Sequence, residues 1–410
     1  MFGDTPLVMV ESDEALVAAV ASLSSASVLG IDTESDSFHH YQEKVCLVQI
    51  SDLHTDYVID PLRVGDMSPL GALFAERSIV KVFHGADYDV VSLKRDFGFK
   101  FANLFDTMIA SQFLGLPRIG LADLIESNFG HVVDKRYQRH DWAQRPLEDE
   151  HLEYARGDTH FLPALRELLT LRLERSGRLR SVMEECRLME NREWQGRTRD
   201  PSDFLRVKGA RQLDELSQRV LRSLYAYRDQ EAASMDRPAF KVIPDPVLLE
   251  LARTRPRTYD EVAAQFRKGS GLVRRHGDRL LSVIEEGVAD ETPVPEPAAR
   301  EESGPRHALR SRDAERLLLR LKDWRNGIVT RDTVAPVTIA ANGLLKEITR
   351  RAPRTIEELR EVPEIRDWQL EAYGEELVQL VNEVLAEPTP AASGDAPKKR
   401  RRRRRKTEAG

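Results

Sequence analysis

A stretch in the C-terminal half of this chain is written twice. Leu224, Tyr227-Arg228, Leu248, Pro256-Arg257-Thr258 and Gly277 recur as Leu321, Trp324-Arg325, Leu345, Pro353-Arg354-Thr355 and Gly374, every pair displaced by 97 positions. A constant offset implies two copies of one folding unit. In each copy the leucines are spaced for one apolar helix face, and Pro-Arg-Thr reads as a turn that starts a helix. Two all-α domains are therefore expected, at 208–290 and 307–388. A connector (191–207) precedes them, a Pro/Glu-rich linker (291–306) separates them, and a tail (389–410) with the composition of a disordered segment follows.

Residues 1–190 read differently. Val28–Ile31, Val45–Ser51, Tyr57–Ile59 and Ile79–Phe83 are apolar, β-branched runs of strand length. Short connections join the first three as an antiparallel meander. Helical patterns then alternate with short strands, one near Leu104–Asp106. That order predicts an α/β domain, a mixed sheet flanked by helices.

This domain concentrates acidic side chains at meaningful spacings. Asp32 and Glu34 follow the Val28–Ile31 run two apart, so on a strand both project to one face. Tyr154 and Asp158 lie four apart in a segment, Glu148–Leu169, that reads as one helix, and so share a side of it. Asp89 follows the Ile79–Phe83 strand near the start of a helix. Four carboxylates gathered together resist ionisation unless something neutralises them, and hard divalent cations are the usual answer.

Taken in order, Asp-x-Glu, the Asp89 that ends Phe83-His84-Gly85-Ala86-Asp87-Tyr88-Asp89, and Tyr-x-x-x-Asp resemble the three exonuclease motifs of the DEDD superfamily in its Tyr-containing subclass. Phe105-Asp106-Thr107 and the Asp-Trp-x-x-Arg-Pro-Leu of Asp141–Leu147 narrow the resemblance to the ribonuclease D family. It implies a ribonuclease H-like exonuclease domain, and both helical copies resemble HRDC domains. It also implies a metal-dependent 3′→5′ exoribonuclease that hydrolyses phosphodiester bonds, releases 5′-mononucleotides and acts on RNA with a free 3′ end, tRNA precursors above all. Two divalent metal ions, Mg²⁺ or Mn²⁺, belong with that activity. Asp32 would bridge both ions, Glu34 and Asp158 would complete the first, and Asp89 would hold the second. Tyr154, a poor base with a free pKa near ~10, would aim the attacking water. A DNA exonuclease acting in repair and a noncatalytic RNA-binding scaffold are the competing readings. Where some ribonuclease D proteins continue with Phe-x-Arg after Asp-Thr-Glu, this chain has Ser35 to Tyr41, which leaves the contacts to the terminal nucleotide open.

Neighbouring residues receive plainer roles: His84 in capping or core hydrogen bonding, Asp106 as a helix N-cap, Trp142 in core packing. Lys135, Arg139 and Arg145 precede the Tyr154 helix and are candidates to meet substrate phosphates. The net charge of −6 hides nine consecutive basic residues, Lys398–Lys406, expected as a tether for RNA or ribosome-like polyanions, or equally as a nuclear-import signal if the host has a nucleus. Between Arg253 and Arg279 eight basic residues face three acidic ones, whereas the equivalent window Arg350–Glu376 has five against eight. The first copy is thus the expected RNA binder, through Arg253, Arg255, Arg257, Arg267, Lys268, Arg274 and Arg275. Two cysteines, no membrane-length apolar run and no visible leader point to a cytoplasmic protein, expected to be a monomer that avoids membranes.

Overall fold

The computed structural model describes residues 2, 4–196, 200–266, 271–295 and 311–387, and the chain divides into two compact units, Met1–Ser303 and Gly304–Gly410. The tail run Lys398–Lys406, together with Arg267 and Lys268, lies outside the described residues.

The N-terminal sheet has six strands: β1 (Leu7–Val10), β2 (Val28–Ser35), β3 (Val45–Ser51), β4 (Asp56–Ile59), β5 (Val80–Phe83) and β6 (Leu104–Asp106). Their spatial order is β1-β4-β3-β2-β5-β6. β2, β3 and β4 form the expected antiparallel meander, while β1 pairs parallel to β4, and β5 and β6 extend the sheet parallel to β2. The mixed sheet is as expected; β1 is an addition to it. Eight helices accompany the sheet: α1 (Asp13–Leu23), α2 (Ser68–Ala75), α3 (Asp87–Phe97), α4 (Thr107–Phe113), α5 (Leu121–Phe129), α6 (Asp149–Gly157), α7 (Leu162–Arg175) and α8 (Leu179–Glu190). Every residue of β3 is buried, as a central strand covered on both faces requires.

One local expectation holds and one is corrected. β2 carries the acidic pair as expected, running through Asp32, Thr33 and Glu34 to Ser35, with a register shift against β3 between Glu34 and Ser35. The segment Glu148–Leu169 is not one helix. α6 stops at Gly157, Asp158 caps its end, and α7 begins at Leu162 with Pro163 in its first turn. A proline fits there because it needs no backbone donor.

The repeat is visible in the bonding. Arg228 donates to Asp245 and to the Ile243 carbonyl, and Arg325 donates to the Ala340 carbonyl and Asn342, each acceptor 97 residues from its counterpart. Thr258 and Thr355 cap equivalent helices, and the amides of Arg257 and Arg354 donate to Glu261 and Glu358. Gly277 lies against Tyr259 and Gly374 against Ile356, where a methyl would meet the neighbour at 2.5 and 3.2 Å. Each copy has its own apolar core, the first around Leu224, Leu248 and Leu280, the second around Leu321, Leu345 and Leu377. No described helix is long and apolar enough to cross a membrane.

Candidate active site

Pairing with β3 sets the register of the acidic strand: Gly30 opposes Ser51, Asp32 opposes Gln49 and Glu34 opposes Leu47. Alternation puts Gly30, Asp32 and Glu34 on one face. At Gly30 the helical layer comes close to the strand. A Cβ there would sit 2.6 Å from the Thr159 carbonyl oxygen and 2.8 Å from the Leu162 Cβ, so only glycine lets the α6–α7 turn touch the strand. Ser51 and Thr159 share a hydroxyl hydrogen bond of 2.7 Å that fastens the same turn to β3. Asp158, one residue before Thr159, is thereby brought beside the strand carboxylates. Oxygens of Asp32, Glu34 and Asp158 all lie within 4.8 Å of one another.

Asp89 joins from the first turn of α3. Thr33, between Asp32 and Glu34 in β2, donates its hydroxyl to Asp89 at 2.5 Å. The turn before α3 is anchored by Asp106. Its carboxylate caps α4 by accepting the Met108 and Ile109 amides, and accepts the Gly85 and Ala86 amides at 3.1 and 2.8 Å. His84 lies behind this turn. Because Thr107 donates its hydroxyl to the Phe83 carbonyl, it accepts from His84 Nδ1 at 2.9 Å, and burial lowers the imidazole pKa. That matches the core role expected of His84, and Asp106 is an N-cap as expected.

Electrostatics mark the cluster as unsatisfied in isolation. Burial, then the charges of Asp89, Asp158 and Glu34, holds the Asp32 carboxyl well above the carboxylate range. Burial and then Asp158 and Asp89 do the same to Glu34. Burial, reinforced by Asp89, lifts Asp158 to about 7. Burial lifts Asp89 to about 6, opposed by the Thr33 hydrogen bond. Upward shifts shared by four neighbouring carboxyls mean that their charges do not stand together unneutralised. An all-oxygen, multiply acidic donor set fits hard divalent cations.

Tyr154 stands one turn before Asp158, its ring 5.7 Å from Trp142 and 5.8 Å from Tyr137. Trp142 is almost wholly buried among Cys46, Leu47, Val58 and Ala155, so the Asp-Trp-x-x-Arg-Pro-Leu segment wedges the tyrosine in place. Burial first, then Asp158, Glu34 and Asp32, pushes the phenol further up, which favours its protonated form.

The candidate phosphate contacts fare unequally. Arg145 is turned inward, donating to both oxygens of Asp60 at 2.5 and 2.7 Å and to the carbonyls of Cys46, Trp142 and Gln144. It clamps its segment to the sheet rather than meeting substrate. Lys135 and Arg139 are exposed. In the first helical copy Arg253 is paired with Glu250, Arg255 lies against Ser217 and Asp214, Arg275 approaches the Met235 sulfur, and Arg257 and Arg274 are exposed. Thr33, Gly30 and Asp106 organise the cluster, and only the last drew notice in the sequence. Thr33 and Gly30 carry no chemical signal of their own.

Comparison with known proteins agrees with this geometry. Residues 7–174 match the family described as 3′-5′ exonuclease, and residues 217–284 and 314–381 each match the HRDC domain. Fold and site thus define a DEDD-type 3′–5′ exonuclease domain followed by two HRDC domains. The chain is 30% identical over 387 residues to the ribonuclease D of Granulibacter bethesdensis, covering 91% of this chain and 92% of that protein. The crystal structure of Escherichia coli RNase D, described as an exoribonuclease involved in structured RNA processing, matches with a TM-score of 0.68 at 26% identity, covering 92% of this chain and 99% of that one. An exosome complex component 10 homolog of Caenorhabditis elegans is 33% identical over 287 residues, 69% of this chain but 33% of the relative, so the chain spans about a third of that protein's length. The chain belongs to the ribonuclease D family.

Proposed function

We propose that this protein is a metal-dependent 3′→5′ exoribonuclease that trims structured RNAs, tRNA precursors among them, releasing 5′-mononucleotides. The observation that carries this reading is the gathering of Asp32, Glu34 and Asp158 within 4.8 Å, with Asp89 held beside them by Thr33. Asp32, Glu34 and Asp158, with Asp89 beside them, would hold the divalent ions. Bound Mg²⁺ or Mn²⁺ would lower the pKa of a water and stabilise the departing 3′-oxygen. Tyr154, kept protonated, donates a hydrogen bond that orients the nucleophile at the scissile phosphate. Arg139 and Lys135, with the exposed arginines of the first HRDC domain, supply the positive charge that an acidic body otherwise lacks.

The test is digestion of 5′-labelled RNA and matched DNA, with Mg²⁺, with Mn²⁺ or with chelator, resolved to single nucleotides. The reading expects a ladder shortening from the 3′ end of the RNA, and none with chelator or with Asp32→Asn. Internal cleavage, faster digestion of the DNA, or full activity of Asp32→Asn would overturn it.

A further inference from the structure

Four residues beyond Glu34 the chain exposes an aromatic ring, and the first HRDC domain places a second beside it. Phe38 is 45% exposed and Phe240 is 49% exposed. Their rings meet edge to face with centroids 6.3 Å apart. The exposed Arg139 carries its guanidinium 5.9 Å from the Phe38 centroid. An edge-to-face pair buried for stability would lose most of its surface to neighbours; these two rings keep nearly half of theirs in water.

Their setting is built rather than loose. His40 Nδ1 lies 2.7 Å from one carboxylate oxygen of Asp236, and the other accepts the Tyr41 amide at 3.1 Å. Tyr41 donates its hydroxyl to Asp229 at 2.7 Å. His39 Nε2 is 2.9 Å from the Arg139 carbonyl. The loop that continues the acidic strand is therefore bonded to the first helical domain through residues close in sequence to Phe38 and Phe240. The nearby carboxylates are engaged there, Asp236 with His40 and Tyr41, and Asp141 with His39 and His40 at 3.9 and 3.8 Å.

We infer that Phe38, Phe240 and Arg139 form a stacking subsite for an unpaired nucleobase of the RNA strand, upstream of its 3′ end. An aromatic face accepts any base, a guanidinium adds a cation–π contact and a phosphate partner, and neither reads sequence. Four residues of extended chain reach at most about 14 Å, so Phe38 lies within reach of the last few nucleotides of a strand whose end sits at the carboxylates. Both domains contribute a ring, which makes the first HRDC domain part of the substrate path and not only an appended binder. The inference rests on the exoribonuclease reading, because that reading puts the 3′ end at Asp32 and Glu34.

The test is fluorescence anisotropy of the full chain with an unpaired RNA of about eight nucleotides, in chelator so that the end stays intact. Phe38→Ala and Phe240→Ala should each weaken binding about fivefold or more, and Phe38→Trp should restore it. One abasic position near the 3′ end should weaken the parent by a similar factor and leave Phe38→Ala unaffected. Arg139→Gln should reduce affinity and lower the salt dependence. If Phe38→Ala does not fold, Phe240→Ala and Arg139→Gln carry the same comparison. Parent-like affinity in folded Phe240→Ala and Phe38→Ala, or equal abasic penalties in parent and variant, would overturn the subsite. A parent that binds in this base-dependent way yet hydrolyses nothing with Mg²⁺ would instead remove the activity and leave the subsite standing.

Discussion

Thr33 and Asp89 lie 56 positions apart and are joined by a 2.5 Å hydrogen bond that ties the acidic strand to the first turn of α3. The bond opposes the effect of burial on Asp89. A hydrogen bond to an ionised group contributes roughly 1.5–3 kcal/mol. Thr33→Val should therefore weaken divalent-ion binding about tenfold or more and move the acid limb of the pH–rate profile to higher pH. Titration calorimetry with Mn²⁺ and a kcat/KM profile check it; an unmoved acid limb would count against this role.

Tyr154 is held by Trp142 and Tyr137, and its phenol is pushed above its ordinary value. Tyr154→Phe should keep the parent's ion affinity while lowering kcat by roughly 10- to 100-fold. Asp158→Asn should lose both. Equal loss of ion affinity in the two variants would show that the phenol supports the ions and not the nucleophile.

Gly30 tests how the cluster is assembled. A methyl at this position meets backbone and Cβ atoms at 2.6–2.8 Å, so the α6–α7 turn must retreat and take Asp158 with it. Gly30→Ala should cost about 1–3 kcal/mol of stability and reduce activity beyond what that loss explains. Thermal melting together with single-turnover hydrolysis separates the two effects.

Without ions the carboxylates oppose the fold. The folded-state values of Asp89, about 6, and Asp158, about 7, stand above the ordinary 3.8. A raised folded pKa contributes stability that is present below about pH 4 and lost as pH rises through 6 to 7. In chelator, the melting temperature of the parent should fall relative to Asp158→Asn between pH 5 and pH 8, and Mn²⁺ should reverse the order of the two. A constant difference across that interval would refute the linkage.

The sequence made the four carboxylates and the helical repeat legible for different physical reasons. Asp32, Glu34, Tyr154 and Asp158 obey local periodicities, and strand and helix spacing survive without knowledge of tertiary contacts. The repeat was readable because Arg228 and Arg325 need the same carbonyl and side-chain acceptors 15 and 17 residues on. What the sequence concealed depends on distant partners. β1 is only four residues long at the sheet edge. The break between α6 and α7 was hidden because Pro163 is as compatible with a second helix start as with a loop. Arg145 looked like a phosphate ligand because nothing nearby in sequence reveals Asp60, which lies 85 positions away. Thr33 and Gly30 carry no charge, and their importance comes wholly from what the fold puts against them.

The most direct test of the account is anomalous diffraction from crystals soaked in Mn²⁺. One peak is expected against Asp32, Glu34 and Asp158, and a second on the Asp89 side of Asp32, both lost in Asp32→Asn. A map with no peak within coordinating distance of these carboxylates, from crystals in which Mn²⁺ is bound elsewhere, would contradict it.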